Sequence, residues 1–150
     1  MGTLNQLADS TWILQKSELD YAQKHANAFV IDPSKLEGWK TAKKELIEGD
    51  FDVFKDGTVK ILNTPGHTPG HQSLQIKLPK SGVVILSGDL VHQKSSVNPF
   101  KVPTFNTDRA DSLASAARIK TLLKNTHGRL IIQHDKQDFA KMPKFPNYME

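Results

Sequence analysis

The stretch Leu62-Asn-Thr-Pro-Gly-His-Thr-Pro-Gly-His71 contains two Pro-Gly pairs, and a histidine follows each pair directly. Residues 58–62 before it and 73–78 after it alternate polar and apolar side chains, which is typical of half-buried strands. Because proline fixes φ and glycine allows close backbone approach, the turn between these strands is stiff. We predict that it holds an imidazole at the end of a strand, where a metal or a substrate can reach it.

Two later apolar segments also end in residues that can bind a metal. Asp89 follows residues 83–86, and His134 follows residues 130–132. Together with His67, three strand ends therefore each provide one such side chain. Zinc binds imidazole nitrogen and carboxylate oxygen, and a carboxylate can bridge two ions through its separate oxygens. We predict His67, Asp89 and His134 as metal ligands, with Asp89 as the bridge.

The composition limits the class of protein. With 150 residues the chain suits one domain, and its hydrophobic content of 37% is low for a compact globule. No segment approaches the roughly 18 apolar residues of a membrane span, and the first residues lack the features of a secretory signal. Cysteine is absent, which excludes disulfides and thiolate ligands.

The net charge of +4 comes from lysines that are scattered along the sequence without interleaved aromatic residues. A nucleic-acid site needs a basic stripe together with residues that stack on bases. We therefore predict no nucleic-acid partner. We also expect a small-molecule substrate and no membrane partner, and the lack of a secretory signal leads us to expect a cytoplasmic location.

The pattern along the chain predicts an α/β (α+β) protein in which helices pack on a sheet. Ser17 and Asp108 are suitable N-caps for two helices. Residues 92–107 show neither a helical nor a strand period, and a loop of this length inside a compact domain is usually functional or disordered. The predicted helices cover residues 18–25, one or two turns within 36–47, and 109–127; the predicted strands cover residues 8–15, 51–54, 59–62, 72–78, 83–86 and 130–132.

The motifs at the predicted strand ends resemble those of the metallo-β-lactamase superfamily. Thr64-Pro-Gly-His-Thr-Pro-Gly-His71, Ser87-Gly-Asp89 and Gln133-His134-Asp135 match its third, fourth and fifth metal motifs in order. The ligand positions are separated by 22 and then 45 residues, which agrees with the N-acyl homoserine lactonase-like branch. The resemblance covers nearly the whole chain.

This resemblance implies a zinc-dependent hydrolase that acts on lactone or ester-like bonds. It implies one or two zinc ions, which polarise a carbonyl group and supply hydroxide near neutral pH. Asp89 and His92 would be the catalytic residues, with Asp89 orienting the nucleophile and residues 92–107 forming part of the substrate wall. A glyoxalase-II-like thioesterase is the main alternative chemistry within the superfamily.

Two features depart from the family pattern. The leading motif, His-x-His-x-Asp-His, is absent, so the sequence resembles the C-terminal portion of an αββα sandwich with a mixed sheet. We expect one incomplete domain, with residues 1–50 as the tail of the first half and connector and residues 51–150 as the second half. At His92 the well-known lactonases carry a tyrosine that assists the lactone carbonyl, whereas histidine has a lower pKa and a different reach.

Because three ligands cannot close two zinc sites, we expect weak or mononuclear metal binding and little turnover from these 150 residues. A non-catalytic alternative also stays open: a fragment, or a homodimer that completes its sheet through an exposed edge. His67 and His134 could each satisfy a backbone carbonyl instead of binding a metal, and Asp89 could cap the following loop. His71 is expected to be structural, and Asp135 to orient a ligand. His92 is either a substrate contact or an exposed loop residue.

Overall fold

The first elements of the chain form a small parallel sheet. The structure is a computed structural model that describes residues 4–7, 9–25, 38 and 41–150. Strand β1 (Thr11–Gln15) leads directly into helix α1 (Lys16–Lys24), and β1 pairs in parallel with β2 (Lys43–Ile47). The predicted helix within residues 36–47 is wrong for 43–47, because pairing with β1 overrides the helical propensity of this lysine- and glutamate-containing segment. Residues 36, 37, 39 and 40 lie outside the described part of the chain.

The beginning of α1 differs from its prediction. Ser17 is not the N-cap, because the helix begins before it, and the N-cap residue Gln15 makes no side-chain capping hydrogen bond. The Ser17 hydroxyl donates instead to the carbonyl oxygen of Pro69 at 3.1 Å. Glu18 Oε2 accepts a hydrogen bond from the Gly70 amide at 2.9 Å. The first turn of α1 therefore supports the turn that carries two of the histidines.

Within the described residues, the larger sheet has five strands, and a long helix covers it. Their bounds are β3 (Phe51–Asp52), β4 (Val59–Asn63), β5 (Gln72–Leu78), β6 (Gly82–Leu86), α2 (Arg109–Thr126) and β7 (Arg129–Ile131). β3 to β6 form an antiparallel meander, and β7 pairs in parallel with β6. The parallel pair needs a long crossover, which α2 provides. The sheet is therefore mixed and carries a packed helix, as predicted.

Helix α2 and the sheet enclose the main hydrophobic core. Leu62, Ile85, Leu90 and Ile119 are buried together there. Ile85, in the middle of β6, is 0% exposed. Burial of one such side chain is worth about 1.5–3 kcal/mol, so this contact fixes α2 on the sheet. Every helix in the described part of the chain is too short or too polar to span a bilayer.

Both ends of α2 follow the sequence prediction. Asp108 caps the helix by accepting a hydrogen bond from the Asp111 amide at 2.8 Å. His127 ends it in the left-handed conformation, with φ of 50°. These local signals determine where the crossover begins and ends.

A third helix, α3 (Lys136–Lys141), is absent from the sequence prediction. Asp135 caps it, accepting hydrogen bonds from the amides of Gln137 at 2.9 Å and Asp138 at 3.3 Å. Six residues are too few to show a helical period, so the cap was the only available sequence signal.

The histidine turn between β4 and β5 is in close contact with both longer helices. Gly66 has φ of +130°, and a Cβ atom there would lie 2.4 Å from the Ser112 amide nitrogen in α2. A Cβ atom on Gly70 would lie 2.4 Å from the Glu18 amide nitrogen in α1. Ser115 Oγ also donates to the carbonyl oxygen of Pro65 at 2.8 Å. The two glycines therefore allow a contact that no larger residue permits.

Asp138 connects the end of the sheet to the loop that follows β6. Its Oδ2 accepts a hydrogen bond from the Ile132 amide at 3.0 Å, and its Oδ1 forms an ion pair with Lys94 Nζ. Burial would raise the pKa of Asp138, but the Lys94 ammonium and the Ile132 amide outweigh it and hold the pKa below its usual range. The ionised carboxylate thus fastens the start of the 92–107 loop to the C-terminal end of β7.

Substitution of Gly66 by alanine should destabilise the fold, because the new methyl group would collide with the backbone of α2. We expect the free energy of unfolding in urea to fall by about 2–4 kcal/mol. Gly82→Ala is the matched control: its φ is +69°, but nothing lies within 4 Å of the added Cβ. That control should cost only about 1–2 kcal/mol. Equal losses for the two variants would contradict the proposed close contact.

Asp138→Asn should destabilise the chain in a pH-dependent way. Because the folded-state pKa lies below the unfolded value, the ionised carboxylate contributes stability at neutral pH that is lost on acidification through the folded-state pKa. We expect a loss of about 1–3 kcal/mol at pH 7. The gap to the wild type should narrow below about pH 4. Unfolding at pH 7 and pH 3 measures both values, and a gap of the same size at both would contradict this role.

Candidate functional site

Three imidazole rings surround the carboxylate of Asp89. His134 Nε2 lies 2.7 Å from Asp89 Oδ1, and His92 Nε2 lies 3.9 Å from the same oxygen. His67 Nε2 lies 3.4 Å from the other oxygen, Oδ2. The structure therefore brings together the three residues predicted as metal ligands, and it adds His92, which was predicted as a catalytic residue.

The topology of the larger sheet explains this convergence. β4 and β6 are both antiparallel to β5, and β7 is parallel to β6, so these three strands run in the same direction. Their C-terminal ends consequently meet at one edge of the sheet. His67 follows β4, Asp89 lies in the 3-10 turn Gly88–Leu90 after β6, and His134 follows β7.

His71 fixes the backbone of Asp89. Its Nε2 accepts a hydrogen bond from the Asp89 amide at 2.8 Å, so the proton of the neutral ring is on Nδ1. That nitrogen donates to the carbonyl oxygen of Thr64 at 2.9 Å. Burial lowers the pKa of His71, which favours this neutral form. His71 therefore connects the beginning of the histidine turn to the turn after β6 through backbone contacts of both ring nitrogens.

Asn106 orients the ring of His67. Asn106 Nδ2 donates to Ser112 Oγ at 2.9 Å, so its Oδ1 is directed to His67 Nδ1, 3.1 Å away. A neutral His67 then has its proton on Nδ1 and a lone pair on Nε2. That lone pair faces Asp89 Oδ2, and two lone pairs face each other across 3.4 Å. Such a pair is stabilised only by a cation or a proton between the two atoms.

The 92–107 loop supplies an apolar wall beside the histidines. Phe105 is 68% exposed, and its ring makes edge contacts with His67 at 5.9 Å and with His92 at 5.7 Å between centroids. Phe105 and Asn106 were not among the predicted site residues. No sequence pattern distinguishes them from other loop residues, because only the fold of the loop brings them to the site.

The charges of the site favour the forms that bind a cation. Burial would raise the pKa of Asp89, but the hydrogen bond from His134 and the neighbouring His67 and His92 outweigh it and lower the pKa. Burial lowers the pKa of His92, and the Asp89 carboxylate opposes this only in part. Near neutral pH the carboxylate is therefore ionised and His92 is neutral. Metal ligands require both of these protonation states.

Asp135 contributes to the site through the backbone. One of its oxygens caps α3, and Oδ2 accepts a hydrogen bond from the Lys94 amide at 3.0 Å. This contact holds the loop that carries His92 beside the segment that carries His134. Asp135 therefore positions these two segments relative to each other by accepting hydrogen bonds from their backbone amides.

The donor set fits a zinc ion. One candidate ligand atom each from Asp89, His92 and His134 lies within 4.8 Å of the other two, and His67 approaches from the opposite oxygen. Imidazole and carboxylate are the ligands of catalytic zinc sites in proteins. The side chain of His134 is 56% exposed, so the group is open to a small molecule from solvent.

The chain has clear relatives among known proteins. Residues 1–134 match the family described as the metallo-beta-lactamase superfamily. The N-acyl homoserine lactonase AttM of Azorhizobium caulinodans is 26% identical over 162 residues, which cover 99% of this chain and 59% of that protein. An N-acyl homoserine lactonase of Bacillus cereus is 35% identical over 105 residues, which cover 70% of this chain and 41% of that protein.

A solved N-acyl homoserine lactone hydrolase, with the product N-hexanoyl-L-homoserine bound at its catalytic metal center, has a similar fold. It is 30% identical, with a TM-score of 0.81 over 95% of this chain and 54% of that chain. The chain thus spans little more than half the length of the relatives that it matches along its whole extent. The family match, the curated relatives and the shared fold together show that this chain belongs to the metallo-β-lactamase superfamily and is related to its N-acyl homoserine lactonases.

Proposed function

We propose that the chain is a zinc-dependent hydrolase that acts on lactone or ester-like bonds, with His67, Asp89 and His134 as metal ligands. The observation that carries the proposal is the convergence of three imidazoles on one ionised carboxylate at the edge of the sheet. The likeness to N-acyl homoserine lactonases supports a lactone as the substrate class.

Bound zinc would act as a Lewis acid that polarises a carbonyl group and makes water more acidic. The chain itself supplies the orientation of the ligands. Asn106 directs the lone pair of His67 Nε2 toward Asp89, and His71 fixes the backbone of Asp89. The exposed ring of Phe105 offers an apolar surface to an acyl chain beside the reacting bond. The proposed site therefore combines a polar metal-binding group with one apolar wall, which suits an acylated lactone.

Asp89→Asn should remove zinc binding while keeping the shape of the side chain. An uncharged amide cannot replace the ionised carboxylate that the three histidines surround. Loss of a residue that only supports metal ligands costs about 10–100-fold in affinity, so loss of the central ligand should cost at least about 100-fold. Isothermal titration with zinc measures this, and Asp20→Asn, which removes an exposed carboxylate paired with Lys16, is the control.

The reaction itself is tested on the zinc-loaded chain with N-hexanoyl homoserine lactone, a thioester and a β-lactam. We expect slow, zinc-dependent opening of the lactone that Asp89→Asn abolishes. Faster turnover of the thioester would identify glyoxalase-II-like chemistry instead. A wild-type chain that binds no zinc and hydrolyses none of the three would overturn the proposal and favour a non-catalytic role.

His71→Phe should weaken zinc binding although His71 is not a proposed ligand. The phenyl ring fills the same space but leaves the Asp89 amide without its acceptor, so the turn that carries Asp89 loses its fixed position. We expect a loss of about 10–100-fold in zinc affinity. His71→Gln, whose amide can both accept and donate, should restore part of it. Unchanged affinity in a folded His71→Phe variant would contradict this positioning role.

A further inference from the structure

The two oxygens of Asp89 have different surroundings. Among the described residues, Oδ2 faces the ring of His67, with Nε2 at 3.4 Å. Oδ1 faces two rings, with His134 Nε2 at 2.7 Å and His92 Nε2 at 3.9 Å. Two imidazole nitrogens thus lie near the same carboxylate oxygen, and one ligand atom each from Asp89, His92 and His134 lies within 4.8 Å of the other two.

His92 has no hydrogen bond to either ring nitrogen within the described residues. Its Nδ1 is buried and has no partner. Its Nε2 is 3.9 Å from Asp89 Oδ1, which is beyond hydrogen-bonding distance. A cation between Nε2 and Oδ1 would give the ring a partner at that nitrogen.

The packing of the rings directs His92 to this position. His92 stacks on His134 with 5.1 Å between ring centroids and 24° between ring planes. Phe105 makes an edge contact with His92 from another side. The Lys94 amide, two residues after His92, is held by Asp135, the residue next to His134. The two rings are therefore held together by side-chain and backbone contacts, with both Nε2 atoms near the same oxygen.

From this geometry we infer that His92 is a metal ligand, and that Asp89 Oδ1, His92 and His134 together form a mononuclear site for a divalent cation such as zinc. Three protein ligands with one open position are the usual set of a catalytic zinc site. The inference rests on the proposed function and revises its ligand set for a single ion. His92 then binds the metal together with Asp89 Oδ1 and His134, whereas His67 faces the other carboxylate oxygen, Oδ2.

The test is a zinc titration of the 150-residue chain and of His92→Phe. Phenylalanine keeps the ring contacts with His134 and Phe105 but has no nitrogen. We expect one zinc equivalent for the wild type and a loss of at least about 100-fold in affinity for the variant. His127→Asn is the control, because it removes an exposed imidazole at the end of α2 and asparagine tolerates the left-handed conformation there.

Nitrogen-15 spectra of the histidine side chains provide a second measurement that needs no variant. Zinc should shift the Nε2 resonances of both His92 and His134 in the wild type. If His92→Phe binds zinc as tightly as the wild type and the His92 resonance does not move, His92 is not a ligand, although the proposed function stands. If the wild type binds no zinc at all, the proposed function fails together with this inference.

Discussion

The common direction of β4, β6 and β7 is the constraint on which the site depends. Each strand ends at the same edge of the larger sheet, and each is followed by a turn that carries one of the predicted metal ligands. Two antiparallel pairings and one parallel pairing, which α2 connects, are enough to produce this arrangement. The chemistry of the site is therefore a consequence of strand order, and the individual turns only refine it.

Among these turns, His71 has the most direct effect on the position of Asp89. A single buried ring connects the beginning of one turn to the backbone of Asp89 in another, through one hydrogen bond on each nitrogen. Asn106 does the same for the ring of His67. Such supporting contacts determine which nitrogen of each histidine has the lone pair, and so which atoms can face a cation. The Asp89 carboxylate remains ionised, because His134, His67 and His92 outweigh the effect of burial and lower its pKa.

Much of this arrangement could be predicted from the sequence, because its causes are local. The Pro-Gly pairs, the alternating segments and the Asp108 cap each indicate their structure within a few residues. The three strand ends carrying His67, Asp89 and His134 were predicted in this way, and the structure brings them together. The zinc ion is a proposal. It is based on the donor set of imidazoles and carboxylate, and on the catalytic metal center of a solved relative.

The parts that could not be predicted depend on contacts between distant segments. Residues 43–47 have the composition of a helix but pair with β1 as a strand. Ser17 was expected to cap α1, yet its hydroxyl contacts Pro69, 52 positions away. Phe105 and Asn106 reach the site only because their loop folds back on the histidine turn. A short segment of sequence cannot predict these contacts, because each contact joins residues that are far apart in the chain.

The parallel pairing of β6 with β7 also bears on how the site is assembled. The meander from β3 to β6 joins segments that are neighbours in sequence. The pairing of β7 with β6, in contrast, closes a loop that contains the whole of α2. Contacts of greater sequence separation have a larger entropic cost of loop closure. The meander alone thus places His67 beside Asp89, and the long-range pairing of β7 brings His134 to the same carboxylate.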